Sequence, residues 1–208
     1  MVKKLNSKKN WLRNHFDDMY VQKAKSEGFR ARSVYKLQEI NERYGIIRKG
    51  ITIVDLGAAP GSWSQYMSEI LDGNGKIFAV DILPMQSLQG VTFINLSIES
   101  NEIIPIFQDI LQEQKIELVL SDIAPNLSGV KIIDQTKIFQ LAENSLQFAQ
   151  KFLAPNGILL IKLFQGNGYV DFCKKLKKSF NVIKILKPKA SQKKSKEIFL
   201  LAFTPKHL

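Results

Sequence analysis

Cysteine, histidine and long apolar runs are scarce in this 208-residue sequence. Cys173 is the one cysteine, so no internal disulfide can form. With only His15 and His207 beside it, it cannot build a zinc site, and no metal is expected. No apolar stretch approaches the ~20 residues that span a bilayer. The basic N-terminus is not followed by the apolar segment of a secretory signal, and Asp17, Asp18 and Glu27 argue against a transit peptide. A cytoplasmic protein with no membrane partner is the expectation. The two common phosphate-binding signatures are missing too: there is no Gly-x-Gly-x-x-Gly and no Gly-Lys-Ser/Thr. Negative charge is short, with 30 Lys and Arg against 19 Asp and Glu and a formal net charge of +11.

What is present suits one domain with a full core, 45% of the residues being hydrophobic and 24% charged. That domain spans 1–208, with residues 1–20 a basic arm. A helical pattern covers 17–45, and Gly45 is its stop. Strand patterns follow at 51–56, 76–81, 91–95, 116–121, 157–163, 181–186 and 197–204. Helical patterns fall at 62–72, 100–114, 135–153 and 168–179. In 135–153, Ile138, Leu141, Ala142, Ser145, Leu146, Ala149 and Leu153 recur at helical spacing and read as core. Pro155-Asn156-Gly157 reads as a turn. Strands alternating with helices give a mostly parallel α/β sheet with helices on both faces. Only a polar, lysine-rich link joins the last two strands. They are therefore expected to pair antiparallel at the end of the sheet.

Asp55-Leu56-Gly57-Ala58-Ala59-Pro60-Gly61-Ser62-Trp63 is a Gly-rich turn between the apolar run Ile51–Val54 and a helix. Gly57 and Gly61 allow close backbone approach, and Pro60 stiffens the turn. In a doubly wound sheet this is where nucleotide-like ligands bind. Without a phosphate signature, an adenosine lacking phosphates fits best, and S-adenosylmethionine is the obvious one. A packing turn would be the bland reading of the glycines alone. The next strand, however, ends on Asp81, an acid placed to accept from ribose hydroxyls.

The positive charge gathers at the two ends. Residues 1–36 hold ten Lys or Arg and three acids; residues 184–196 hold six lysines and no acid. Two basic clusters flanking a balanced middle form a footprint for a polyanion.

Several motifs occur in order: Ala31-Arg32-Ser33-Val34-Tyr35-Lys36-Leu37, the Asp55–Trp63 turn, Asp81-Ile82-Leu83-Pro84-Met85, Ser121-Asp122-Ile123-Ala124-Pro125-Asn126-Leu127-Ser128-Gly129, Lys162-Leu163-Phe164-Gln165-Gly166 and Ser195-Lys196-Glu197. From about Lys23 to Phe203 the chain resembles the RrmJ/FtsJ (RlmE) family of RNA ribose 2′-O-methyltransferases. The resemblance implies a Rossmann-like, S-adenosylmethionine-dependent methyltransferase fold: a seven-stranded, mostly parallel sheet with an antiparallel C-terminal strand. It implies a catalytic Lys36, Asp122, Lys162 and Glu197. It also implies cofactor contacts at Gly57, Ala59, Pro60, Gly61, Trp63, Asp81, Ile82, Ser97 and Asp122. Ser97 stands where many members carry an acid that reads the adenine amine, and Glu99, two residues on, can substitute.

The implied chemistry is methyl transfer to a ribose hydroxyl, which must lose its proton as the new bond forms. A lysine ordinarily titrates near ~10.4; burial and a neighbouring Lys36 lower that, while the charges of Asp122 and Glu197 raise it. The resemblance gives Lys162 the base role, Asp122 its orientation, and Lys36 and Glu197 the placement of ribose and lysines. Without the resemblance, a lysine in an apolar strand would merely snorkel to the surface. The Ser121–Gly129 segment is closer to the bacterial form, which points to a uridine of 23S rRNA in the large (50S) ribosomal subunit. Arg30, Arg32, Lys189 and Lys193 are candidate RNA contacts, and a monomer is expected. The alternatives are a tRNA 2′-O-methyltransferase, or a non-catalytic RNA-binding assembly factor on the same fold.

Overall fold

Alternation along the strands decides the two faces of one sheet. A computed structural model describes residues 18–126, 128–192 and 194–206. Its seven strands are β1 (Thr52–Leu56), β2 (Lys76–Asp81), β3 (Val91–Asn95), β4 (Ile116–Ser121), β5 (Leu153–Phe164), β6 (Phe180–Leu186) and β7 (Glu197–Pro205). They lie in the order β3-β2-β1-β4-β5-β7-β6. The first five run parallel. β7 slots between β5 and β6, antiparallel to both.

Ile53, Leu118, Leu120, Leu160, Phe199 and Leu201 point to one face, under α2 (Val34–Tyr44) and α3 (Ser62–Leu71). Val54, Leu56, Val119, Leu159, Ile161, Leu163 and Leu200 point to the other, under α4 (Ile103–Leu111), α5 (Lys131–Phe152) and α6 (Tyr169–Ser179). The expected sandwich with helices on both faces is therefore present. Strands covered on both sides read as continuous apolar runs, as these do.

Three sequence expectations are corrected. The 17–45 pattern is two helices, α1 (Met19–Ser26) and α2. Gly28, at φ +76°, ends α1: the Phe29 N–H donates back to the Ala24 carbonyl and the Gly28 N–H to that of Lys25. That is a glycine stop closed by two bonds to the last turn. Pro155–Gly157 is part of β5 rather than a turn before it, and the ladder with β4 absorbs it by a register shift between Ile116 and Leu118. The 100–114 pattern shortens to Ile103–Leu111. Most of the expected basic arm lies outside the described residues, as does Lys193. Among the described residues no helix is long and apolar enough to cross a membrane.

Phe107 is the hub of the second face. It is fully buried and meets Phe148 edge-on at 4.8 Å, Phe78 at 5.8 Å and Phe152 at 6.0 Å. Removing a buried aromatic leaves a cavity that its neighbours fill poorly. Phe107→Ala is expected to destabilise the fold by roughly 3–5 kcal/mol. Urea unfolding checks this through a lowered midpoint at unchanged slope.

Candidate active site

The strand order reverses between β1 and β4, and the crevice outside their carboxyl ends is where open α/β sheets bind ligands. A cavity of about 560 Å³ opens there. Its floor comes from Leu56, Gly57, Ala59 and Asp81; one wall from Ile82, Leu83, Leu96, Ser97, Ile98 and Glu99; the other from Asp122–Asn126 and, on α5, Thr136, Lys137, Gln140 and Leu141.

Gly57 has no alternative at its position. Its φ is +78°, and a Cβ there would lie 2.6 Å from the Ile123 side chain and 2.8 Å from its Cα. The turn is then braced by Asp81, whose carboxylate accepts the Ala59 N–H at 2.9 Å and the Leu83 N–H at 2.8 Å. Ser97 Oγ accepts the Glu99 N–H at 3.1 Å, so both residues are held on the same cavity wall. The wall opposite is latched by Asp134, which accepts from the Ser128 hydroxyl and N–H, both at 2.7 Å, and from the Gly129 N–H at 3.1 Å. The Ser128 hydroxyl and N–H, with Gly129, hold the Asp134 carboxyl below its ordinary value.

Of the expected cofactor contacts, Gly57, Ala59, Asp81, Ile82, Ser97 and Asp122 line this cavity. Pro60, Gly61 and Trp63 do not. The Trp63 indole is buried beneath the site. It donates to the Ser33 carbonyl at 2.8 Å and packs on Phe199 with ring centres 5.9 Å apart. It ties α3 to the start of α2.

The four expected catalytic residues converge on the face covered by α2. Alternation puts them there: Asp122 follows Leu118 and Leu120, Lys162 follows Leu160, and Glu197 precedes Phe199. The Asp122 N–H still donates to the Leu56 carbonyl at 3.2 Å, which carries the strand geometry one residue past β4. Lys162 is 9% exposed, and its Nζ lies 2.9 Å from the Asp122 carboxylate and 2.5 Å from the Asp122 carbonyl. Lys36, reaching down from α2, places its Nζ 2.7 and 2.8 Å from the two oxygens of Glu197, itself 8% exposed. Two buried lysine–carboxylate pairs therefore stand side by side, and Asp122 is also a wall of the cavity.

Arg30 and Arg32, expected to contact RNA, are occupied inside the protein. Arg30 donates to the carbonyls of Pro60 (3.1 Å), Gln86 (2.8 Å) and Ser87 (3.0 Å). Arg32 pairs with Asp18 and donates to the Ala190 carbonyl. Burial lowers the Arg32 pKa, opposed by the nearby Glu197 carboxylate. Lys189 is exposed, with its N–H held by Glu39 at 2.7 Å.

Two features escaped the sequence reading. The α5 wall has the apolar spacing of a core helix, although Thr136 and Gln140 recur one turn apart. Asp55 looks in sequence like no more than the edge of the turn. It is 1% exposed; Ser64 donates to one carboxyl oxygen at 2.7 Å, and among the described residues the other oxygen has no hydrogen-bond partner. Burial, reinforced by Asp122 and Asp81 against the Ser64 bond, pushes its pKa up to about 7. Among the described residues no cluster of three or more His, Cys, Asp or Glu is placed to hold a metal.

Comparison with known proteins gives the chain a family. The model of the FtsJ-like methyltransferase family matches residues 29–204, and the chain belongs to that family. It is 45% identical over 196 residues to the ribosomal RNA large subunit methyltransferase E of Legionella pneumophila (strain Corby), covering 94% of this chain and 95% of that one. It is 46% identical over 195 residues to the protein of the same name from Acinetobacter baumannii, covering 94% and 90%. Among solved structures, a ribosomal RNA methyltransferase from Plasmodium falciparum superposes with a TM-score of 0.77 at 28% identity, over 85% of this chain and 98% of that one.

Asp55 generates a pH prediction. Its folded pKa stands above its ordinary value of 3.8. Ionising it therefore costs stability progressively as pH rises from the ordinary value to the folded one, and the cost is complete above about 7. Asp55→Asn keeps the shape without the charge. Thermal melts should show the variant the more stable at pH 8, with the advantage gone below pH ~4. A difference constant with pH would refute the assignment.

Proposed function

We propose that the chain methylates the 2′-oxygen of a uridine ribose in 23S rRNA of the large ribosomal subunit, with S-adenosylmethionine as the cofactor. The observation that carries this is the pairing of Lys162 with Asp122 and of Lys36 with Glu197 at the edge of a nucleoside-sized cavity. The substrate is proposed from the printed names of the Legionella and Acinetobacter relatives.

The cavity residues suit the cofactor. Ile82, Leu83, Leu96, Ile98 and Ile123 offer apolar walls for an adenine. Asp81 keeps lone pairs for ribose hydroxyls after accepting two backbone N–H groups. The adenine amine falls to Ser97 or Glu99. S-adenosylmethionine supplies an electrophilic methyl group when bound.

The protein's own work is to hold the ribose and take its proton. As the new C–O bond forms, the 2′-hydroxyl proton passes to Lys162, which can take it once its own ammonium has released one. Asp122 fixes that nitrogen through carboxylate and carbonyl. Lys36, pinned by Glu197, provides a fixed cation for the developing charge on oxygen. Alignment of hydroxyl and methyl supplies much of the remaining rate. The exposed Lys189, Lys194 and Lys196, on the segment leading into Glu197, grip phosphates, so binding should weaken steeply with salt.

The test is transfer of labelled methyl to large subunits lacking the modification, with the modified nucleotide mapped. Wild type should label one 23S uridine ribose, and Lys162→Ala should lose roughly 10²-fold or more in rate. Labelling of tRNA in place of subunits would overturn the substrate and keep the chemistry. Cofactor binding without transfer to any RNA would overturn the enzymatic reading in favour of a binding protein.

A further inference from the structure

We propose that Ser191 is a positioning residue of the active site, holding the Glu197 carboxylate so that Lys36 is presented in one orientation. The proposal rests on the functional reading above. Ser191 is 5% exposed, and its hydroxyl donates to Glu197 Oε1 at 2.7 Å, the oxygen that Lys36 Nζ approaches at the same distance. A buried lysine–carboxylate pair is well placed only when its remaining lone pairs are satisfied. Lys36 meets both oxygens, at 2.7 and 2.8 Å. The hydroxyl adds a third, directional contact on Oε1 alone, which anchors the carboxylate to the protein independently of the lysine it presents.

The hydroxyl is itself fixed. Residues 188–191 form a turn closed by the Ser191 N–H on the Pro188 carbonyl at 2.9 Å. Two outside contacts hold that turn. Arg32 donates to the Ala190 carbonyl, and the Lys189 N–H donates to Glu39 at 2.7 Å. Glu39 lies on α2, the helix that carries Lys36. One rigid body therefore positions both the lysine and the serine around Glu197. The cofactor cavity lies on the Asp122 side and includes neither Ser191 nor Glu197. Loss of the hydroxyl should then affect the chemical step and spare cofactor affinity.

Ser191→Ala should lower kcat about tenfold, the size of losing one hydrogen bond to a charged group, with KM for S-adenosylmethionine unchanged. Ser191→Thr, which keeps the hydroxyl, should recover most of the rate. In a Glu197→Gln background, Ser191→Ala should add little, because its effect runs through that carboxylate. Equal losses in both backgrounds would sink the proposal, as would a raised cofactor KM with kcat intact. A second readout needs no turnover: the rate at which a lysine-acylating reagent modifies Lys36, mapped by peptide mass. It should rise several-fold in Ser191→Ala, with Lys162 unaffected and thermal midpoints similar. A wild type inactive on every RNA, yet showing the acylation change, would overturn the functional reading, and with it the catalytic part of this one, while the hold of Ser191 on Glu197 and Lys36 stood. Unchanged acylation and unchanged kcat in the variant would defeat this one alone.

Discussion

A lysine ammonium set among Leu160, Phe199 and Leu201 inside a seven-stranded sheet is expensive unless it is paired at close range. Lys162 meets that demand through one residue, Asp122, which offers both its carboxylate and its carbonyl. The rest of the site follows from keeping Asp122 where it is. β4 must end one residue before it, the chain must leave over the cavity as the Ile123–Asn126 wall, and Gly57 must lack a side chain to let Ile123 pass. The same residue thus stabilises a buried cation and borders the cavity. Removing it would leave an unpaired buried charge, a cost that falls on folding as well as on chemistry.

The second pair shows the other solution. Lys36 and Glu197 come from elements far apart in the chain, and the antiparallel insertion of β7 between β5 and β6 is what joins them. In that register Glu197 faces Phe164 and Phe199 faces Lys162, so Glu197 and Lys162 share a face two residues apart on neighbouring strands. An ordinary parallel strand at that place would enter the sheet from the opposite end and put its first residue at the amino edge. The reversed strand is therefore a requirement of the site, because it starts β7 where β4 and β5 finish.

The sheet was legible in the chain for a physical reason, since buried strands are written as apolar runs. Strand patterning puts Asp122, Lys162 and Glu197 at or near strand ends, but only the family resemblance singles them out: taken alone, Lys162 reads as a side chain snorkelling from an apolar strand and Asp122 as a turn former. The Gly-rich turn was legible as a backbone need written in residue type, whereas the two backbone N–H groups that Asp81 accepts, beside the ribose hydroxyls expected of it, have no mark in the sequence. Contacts made by backbone carbonyls were not legible either. Nothing in the letters says that Arg30 will spend three donor contacts on Pro60, Gln86 and Ser87, or that Ser191 will meet a carboxylate six residues on through a turn held by Arg32. Carbonyls are anonymous in sequence, and arginines in a basic region look like phosphate ligands. Gly28 breaks a stretch whose residue pattern on either side reads as one helix. Pro155–Gly157 looked like a turn because a register shift in a sheet leaves no mark of its own.

The fate of those arginines changes what the positive charge is for. Guanidinium groups carry several donors in a rigid plane and suit multipoint capture of carbonyls and carboxylates. Arg30 uses that geometry to close the N-terminal segment over the cofactor turn. A Cβ on Gly61 would meet both Arg30 and Met85, so the turn and its clamp are packed without slack. Lysines bind as hydrated point charges and suit a polyanion gripped by its backbone rather than by its bases. In this protein, Lys189, Lys194 and Lys196 remain exposed beside the turn that carries Ser191 and ends at Glu197. Phosphate neutralisation on that segment would act directly on the element that sets the orientation of Lys36. Under the proposed function, substrate grip and catalytic alignment would share one stretch of chain, held against a frame to which Arg32 contributes through the Ala190 carbonyl.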